Sequence, residues 1–297
     1  MHMRRGLFSS RPSLPLFLCA LAALLLLLPG AADAGRPLPP DAPLVATAAP
    51  AAQVYVPSAS RGLDAERANW FKPGERFDYN VRWGPFDVGS ATIEVLPTGT
   101  VNGKPARGFR MTARTNDFAD VFYKVRDVNE SWTDMDMQGS LLYLTKQHEG
   151  SYVRDYELRL YADKGTAELW SNETGKHKNT VHIFPGTMDP LSVLFAFRAW
   201  PEEFHPGMVI RQAVTDGKKF VLGEATVVRR EKVKVPAGEY DCYLVEPDIR
   251  DLGGVFRKSP EAALQIWVTA DSRRLPVLVR SKVVVGHFVA EMTEYKD

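Results

Sequence analysis

Cysteine is nearly absent from this chain, with Cys19 and Cys242 the two in 297 residues. Cys19 lies inside an N-terminal apolar run, so removal of that run leaves Cys242 alone. A single cysteine excludes an internal disulfide, and stability must then come from a packed core. Charge of one sign is also lacking: 37 Lys and Arg against 36 Asp and Glu give a formal net charge of +1. No basic block stands out, which argues against nucleic acid as a partner, because binding phosphates needs clustered cations. Beyond the N-terminal run no apolar stretch approaches the roughly 20 residues that a membrane helix needs. Catalytic signatures are missing too. There is no Gly-x-Ser-x-Gly elbow. His148, His177, His182, His205 and His287 show no metal-ligand spacing. No metal and no cofactor is expected.

What is present begins with an export signal. Arg4 and Arg5 precede the apolar run Leu14 to Leu28, Pro29-Gly30 ends it, and Ala32-Asp33-Ala34 supplies small residues for cleavage after Ala34. The run is too short to span a bilayer as a retained anchor. Leu18 before Cys19 is the wrong residue for lipid attachment. Residues 1–34 are therefore read as a signal peptide, and the destination as the periplasm, with no transmembrane span after cleavage. Residues 35–69 form a Pro/Ala-rich linker that cannot bury a core. Residues 70–297 remain as a single domain.

Within that domain the texture is period two. Phe77, Tyr79, Val81 and Trp83 alternate with Arg76, Asp78, Asn80 and Arg82, the pattern of a strand with one buried face. Comparable runs follow at Val88–Leu96, Arg107–Thr115, Leu141–Gln147, Tyr152–Tyr161, Thr166–Ser171, Val209–Thr215, Lys219–Leu222, Glu224–Val235, Gly238–Glu246, Leu264–Thr269, Leu275–Val285 and His287–Tyr295. Asp189–Arg198 breaks the rhythm and predicts a helix, with Asp189 capping its amides and Pro190 at the first position. Asp117–Tyr123 is a weaker second candidate. The fold class is mainly β: a curved antiparallel sheet or barrel-like body with one or two short helices.

Five pieces in order carry a family resemblance: Phe71-x-Pro73-Gly74-Glu75 with Trp83-Gly84, Val88-Gly89, Asp189-Pro190-Leu191-Ser192 with Arg198, Val235-Pro236-Ala237-Gly238-Glu239-Tyr240-Asp241-Cys242, and Trp267-Val268 with Asp271-x-Arg273-Arg274-Leu275-Pro276. Over residues 70 to 297 the chain resembles the DUF3108 family of exported bacterial proteins. The resemblance implies an envelope protein with a curved sheet and no established reaction or catalytic residues. It also implies that Asn129-Glu130-Ser131 and Asn172-Glu173-Thr174 are not glycosylation sites. Each piece has a structural explanation as well, for glycines between strands relax the backbone and Pro276 opens a strand.

Cys242 lies in a strand pattern and is read as a buried, inert thiol. Asp117, Asp120, Asp127, Glu130, Asp134 and Asp136 are candidate carboxylates for a glycan-active hydrolase, but nothing in the sequence places two of them across a cleft. Binding is the favoured class, and the protein is read as more non-enzymatic than enzymatic. Trp83, Phe122, Tyr123, Trp132, Phe195, Arg198 and Trp267 are the candidate ligand-binding residues. Arg198, Arg126 or Arg257 would meet an anionic head group. Gly253, Gly254, Phe256 and Arg257 would belong to a flap over the mouth. The expected partner is a lipid or lipid-linked glycan. The alternative is a structural or assembly factor that binds an envelope protein or polysaccharide.

Overall fold

The computed structural model describes residues 63, 65–249, 262–283 and 286–297. The expected signal peptide, most of the expected linker and the expected flap residues Gly253, Gly254, Phe256 and Arg257 lie outside the described residues.

The alternation seen at the start of the domain builds β1, Arg76–Trp83, with Phe77, Tyr79 and Val81 buried. The chain then runs outward through β2 (Phe86–Val101), β3 (Lys104–Thr115), β4 (Arg126–Thr133), β5 (Ser140–Glu149), β6 (Tyr152–Tyr161), β7 (Thr166–Ser171) and β8 (Lys176–His182). A crossing segment carries a short helix. The chain restarts at the opposite edge with β9 (Val209–Thr215) and returns through β10 (Phe220–Val235), β11 (Gly238–Pro247), β12 (Ala263–Thr269), β13 (Pro276–Val283) and β14 (Gly286–Lys296). The 14 strands form one sheet in the order β8 to β1, then β14 down to β9. Each neighbour is antiparallel. The first and last strands lie side by side, from Arg76 opposite Lys296 to Trp83 opposite Phe288.

The sheet curls into a nearly closed barrel-like body. Register shifts in β1, β2, β10 and β12 are bulges that add local twist and bend. The edge strands β8 and β9 do not pair with each other. The seam between them is bridged by the crossing segment, where Met188 N–H donates to Ala213 O (2.8 Å) and Met188 O accepts from Thr215 N–H (2.9 Å). At the other extreme of curl, Ala237 N–H at the β10–β11 turn reaches Met292 O of β14 (3.0 Å), skipping β12 and β13.

Three short helices complete the described residues: α1 (Ala65–Ala68), α2 (Asp117–Asp120) and α3 (Ser192–Arg198). The regular turns of α3 begin two residues later than Pro190, yet Asp189 caps as expected. Its Oδ1 accepts from the N–H groups of Leu191 (2.8 Å) and Ser192 (2.9 Å). Phe195 of α3 stacks on Phe109 at 3.7 Å between ring centroids and meets Phe71 edge-on. This packing fixes the helix against the inner wall. Two features differ from the strand pattern of the sequence: β4 and β8 are additional strands, and Lys219–Leu222 joins Glu224–Val235 in one long β10.

Candidate functional site

Beneath α3 lies a cavity of about 210 Å³, lined mostly by apolar side chains. Leu191, Leu194 and Phe197 form its roof, and Ile210, Val245 and Ile266 of β9, β11 and β12 form one wall. On the far side Ile93, Met111 and Asn129 stand opposite one another across β2, β3 and β4. The rim carries the more exposed Leu222 and Glu224.

The polar groups in this lining are few. Tyr79 Oη donates to Pro276 O at 2.7 Å, Gln212 Nε2 donates to Gly186 O at 2.7 Å, and Glu224 at the rim is paired with Arg211 (2.7 Å). Burial pushes the Tyr79 and Tyr143 phenols far above their ordinary range, so both stay neutral. Asn129 differs from them. It is fully buried, yet neither its Oδ1 nor its Nδ2 has a hydrogen-bond partner. Among the described residues no Lys or Arg lines the cavity.

Asn129 belongs to an unusual strand. The inward face of β4 is Asp127, Asn129, Ser131 and Thr133, all buried and all polar. At one end this face is fully satisfied. Ser131 Oγ (2.5 Å) and Ser140 Oγ (2.6 Å) both donate to Asp189 Oδ2, so the buried carboxylate that caps α3 ties the helix to β4 and β5. Burial raises the Asp189 pKa, and these hydrogen bonds oppose the rise. At the other end Asp127 meets Glu149. Burial first, and then each carboxyl's effect on its neighbour, holds Glu149 up to about 8; burial raises Asp127 to about 6. The two share a proton across neutral pH. A small crevice between Arg154, Asp216 and Lys218, with room for about one water, meets the main cavity at Tyr143. Burial lowers Lys218 to about 8 there.

The residues singled out in the sequence are scattered around this cavity. Phe195 is in the core on Phe109. Arg198 is 4% exposed and forms a two-bond ion pair with Glu75 (2.7 and 3.1 Å), so its guanidinium is already engaged. Trp267 donates Nε1–H to Glu231 (2.8 Å), and strand alternation turns it away from its cavity-lining neighbours Ile266 and Val268. Trp132 lies over Gly99 and Gly108 on the outer face. Trp83 stacks on Phe288, and Tyr123 is half-buried against the core. Phe122 is 60% exposed and meets Phe118, which stacks on Phe86. Arg126 is paired with Asp120 (2.6 Å). Of the elements chosen, α3 and β12 do face the cavity, but through Leu191, Leu194, Phe197, Ile266 and Val268. Asn129 was visible in the sequence only as part of a glycosylation triplet, and full burial excludes a glycan there.

Among the candidate carboxylates, Glu130 pairs with Arg110 (2.8 Å) and Asp120 with Arg126, while Asp127 touches Glu149 directly. Two carboxyls in contact leave no room for a sugar between them; glycosidases hold theirs about 5 Å or more apart. Among the described residues no group of three His, Cys, Asp or Glu side chains is placed to hold a metal ion. Among the same residues no helix is long and apolar enough to cross a membrane.

One solved structure gives the fold a precedent. The chain is similar to a β-barrel-like protein from Brucella abortus, of the domain of unknown function DUF1849, with a TM-score of 0.50 and 12% identity over 76% of this chain and 100% of that one. A protein from Bacteroides fragilis described as exported, with a YmcC-like fold, matches at a TM-score of 0.31 and 10% identity over 76% of this chain and 97% of that one. No curated protein matches the sequence. The family model DUF3108, described as a protein of unknown function, matches residues 78–293, and the chain accordingly belongs to the DUF3108 family.

Proposed function

We propose that the mature chain acts outside the cytoplasm as a non-enzymatic binder of a single-chain apolar or amphipathic molecule. The export part of this reading rests on Arg4, Arg5, the apolar run and Ala32-Asp33-Ala34. The binding part rests on one observation, the mostly apolar cavity of about 210 Å³ under α3. Its size bounds the occupant. It exceeds the ~150 Å³ that holds a benzene ring and falls below the ~300–1,000 Å³ of drug-sized sites. An alkyl chain, or the end of one, suits a space of this size, and the bulk of a phospholipid would lie outside it. The glycan of a lipid-linked glycan would stay outside, with only part of its chain inside.

Native mass spectrometry on protein extracted gently from envelopes tests this. An adduct of one amphiphile, lost in Leu194→Trp because the larger ring fills the space under α3, is the expected result. Absence of any adduct, together with no uptake of a fluorescent apolar probe, would overturn it.

The exposed aromatic cluster favours a second reading, contact with another envelope protein. Phe86, Phe118 and Phe122 are each at least half exposed and touch in sequence, with Val121 79% exposed beside them. Contiguous apolar surface of this kind marks interaction sites. Loss of an envelope pull-down partner in Phe118→Ser/Phe122→Ser, with the melting curve unchanged, would support it. Retention of every partner would count against it.

A further inference from the structure

The cavity is apolar, but its inner side is not uniformly so. Ile93, Met111 and Asn129 lie in one cross-strand row, and Thr145 of β5 continues it opposite Asn129. Placing an amide among these aliphatic neighbours, fully buried and with both polar atoms unpaired, costs stability. A buried amide without compensating hydrogen bonds is disfavoured by more than the net gain of an ordinary hydrogen bond. The other neutral polar side chains of the lining do not share this state. Tyr79 and Gln212 are bonded to backbone carbonyls. Of the four inward side chains of β4, Ser131 bonds Asp189, Thr133 bonds Asp134 O, and Asp127 is met by the His148 N–H and by Glu149. Asp127 keeps one oxygen, Oδ2, unpaired, but Asn129 alone of the four has both a donor and an acceptor unpaired, and it lines the cavity.

Charge narrows what can answer them. Among the described residues the lining carries no Lys or Arg; its charged members are Glu224, already paired with Arg211 at the rim, and Asp248. Among the described residues, an anion buried against Asn129 would meet no lining cation to offset its desolvation. Arg198, a buried cation, is committed to Glu75. The group that fits is neutral. It must offer one acceptor and one donor side by side, to meet Nδ2–H and Oδ1 together.

We infer that Asn129 is the polar anchor of the cavity, and that the ligand is a neutral amphiphile whose alkyl chain fills the apolar space while a carboxamide, protonated carboxyl or hydroxyl end pairs with the Asn129 amide. The inference rests on the cavity being a ligand site, and it adds the ligand class and orientation: polar end inward against β4, chain toward α3 and the wall of β9 to β12. Anionic head groups such as phosphate are selected against.

Four probes of equal chain length separate the possibilities: octane, octanol, octanamide and octyl phosphate, with binding followed by displacement of a fluorescent apolar dye. Octanamide is expected to bind tightest and octyl phosphate weakest. Asn129→Leu, close in volume, should weaken octanamide roughly 10-fold or more, as expected for losing hydrogen bonds to a buried polar group, while octane binds it at least as well as the parent. Asn129→Ala removes the amide without adding bulk and should show the same reversal of preference. A cooperative melting curve for either variant shows that it is folded. Octyl phosphate binding as tightly as octanamide, or unchanged octanamide affinity in a folded variant, would overturn the inference while leaving the cavity a ligand site. Failure of the parent protein to take up the dye and all four probes would instead remove the reading on which the inference depends.

Discussion

Replacing Arg198 with Met separates a structural role from a ligand-binding one. Arg198 Nη2 and Nη1 lie 2.7 and 3.1 Å from the two Glu75 oxygens, Nε–H donates to Arg273 O (3.0 Å), and Tyr295 Oη donates to Glu75 Oε1 (3.1 Å). The guanidinium carbon sits 4.7 Å from the Phe71 ring centroid and 5.1 Å from that of Phe77. Both side chains of the pair are almost wholly buried, at 3% and 2% exposed. Met fills much of the volume but leaves Glu75 as a buried carboxylate with one remaining donor. Breaking such a pair from one side costs about 3–5 kcal/mol. At about 2–4 °C per kcal/mol for a domain of this size, the melting temperature should fall by about 6–20 °C. Adding Glu75→Gln removes the orphaned charge and should recover most of the loss, so the double-mutant cycle returns a coupling of a few kcal/mol. Thermal unfolding followed by circular dichroism reads the stability, and dye uptake by the surviving folded protein should be unchanged. A loss below about 1 kcal/mol, or abolished dye uptake at unaltered stability, would refute the reasoning and return Arg198 to the ligand site.

The Asp127–Glu149 pair predicts an alkaline loss of stability. Both folded pKa values are raised, so their contribution is fully present below the unfolded carboxylate range and lost as pH rises through about 6 to 8. Glu149→Gln should flatten that decline, which is on the order of a few kcal/mol for the parent; equal pH profiles for the two proteins would contradict the shared proton. A Cβ at Gly108 would stand 2.7 Å from the Trp132 ring, so Gly108→Ala should cost about 1–3 kcal/mol and shift tryptophan emission. Unchanged melting and emission would dismiss that contact. The Cys242 thiol is fully buried, and burial pushes it up to about 12. In a chain beginning after Ala34 it should resist alkylation at pH 8 until the protein is unfolded in urea, and rapid labelling of the folded protein would show the site to be open.

Strands with apolar inner faces were legible in the sequence because alternation reports burial. β1, β3 and β7 are of this kind. β4 escaped because its alternation is inverted: Asp127, Asn129, Ser131 and Thr133 face inward, while Val128 and Trp132 take the outer side. β8, at the edge, buries none of its residues and so carries no apolar period. The same logic explains the site. Large aromatics were chosen as ligand contacts, but large rings fill space, as Phe195 does against Phe109. The cavity lies chiefly where Leu, Ile and Val leave volume over, and its one unanswered amide sits on the strand whose pattern was hardest to see. Asp189 and Pro190 marked α3 correctly as an element, but which of its side chains turn to the cavity depends on the wall opposite.

The adjacency of β1 and β14 constrains how the molecule is made. A chain delivered from its N-terminus presents β1 first, and β2 soon covers one edge. The other edge has no native partner until the last strand, Gly286–Lys296, arrives about two hundred residues later. Until then it is an open row of amides and carbonyls, the kind of edge that templates aggregation. Pairings this distant in sequence also form slowly, because loop closure must come first. A nascent molecule therefore carries an unpaired β edge from the arrival of β1 until β14 closes it.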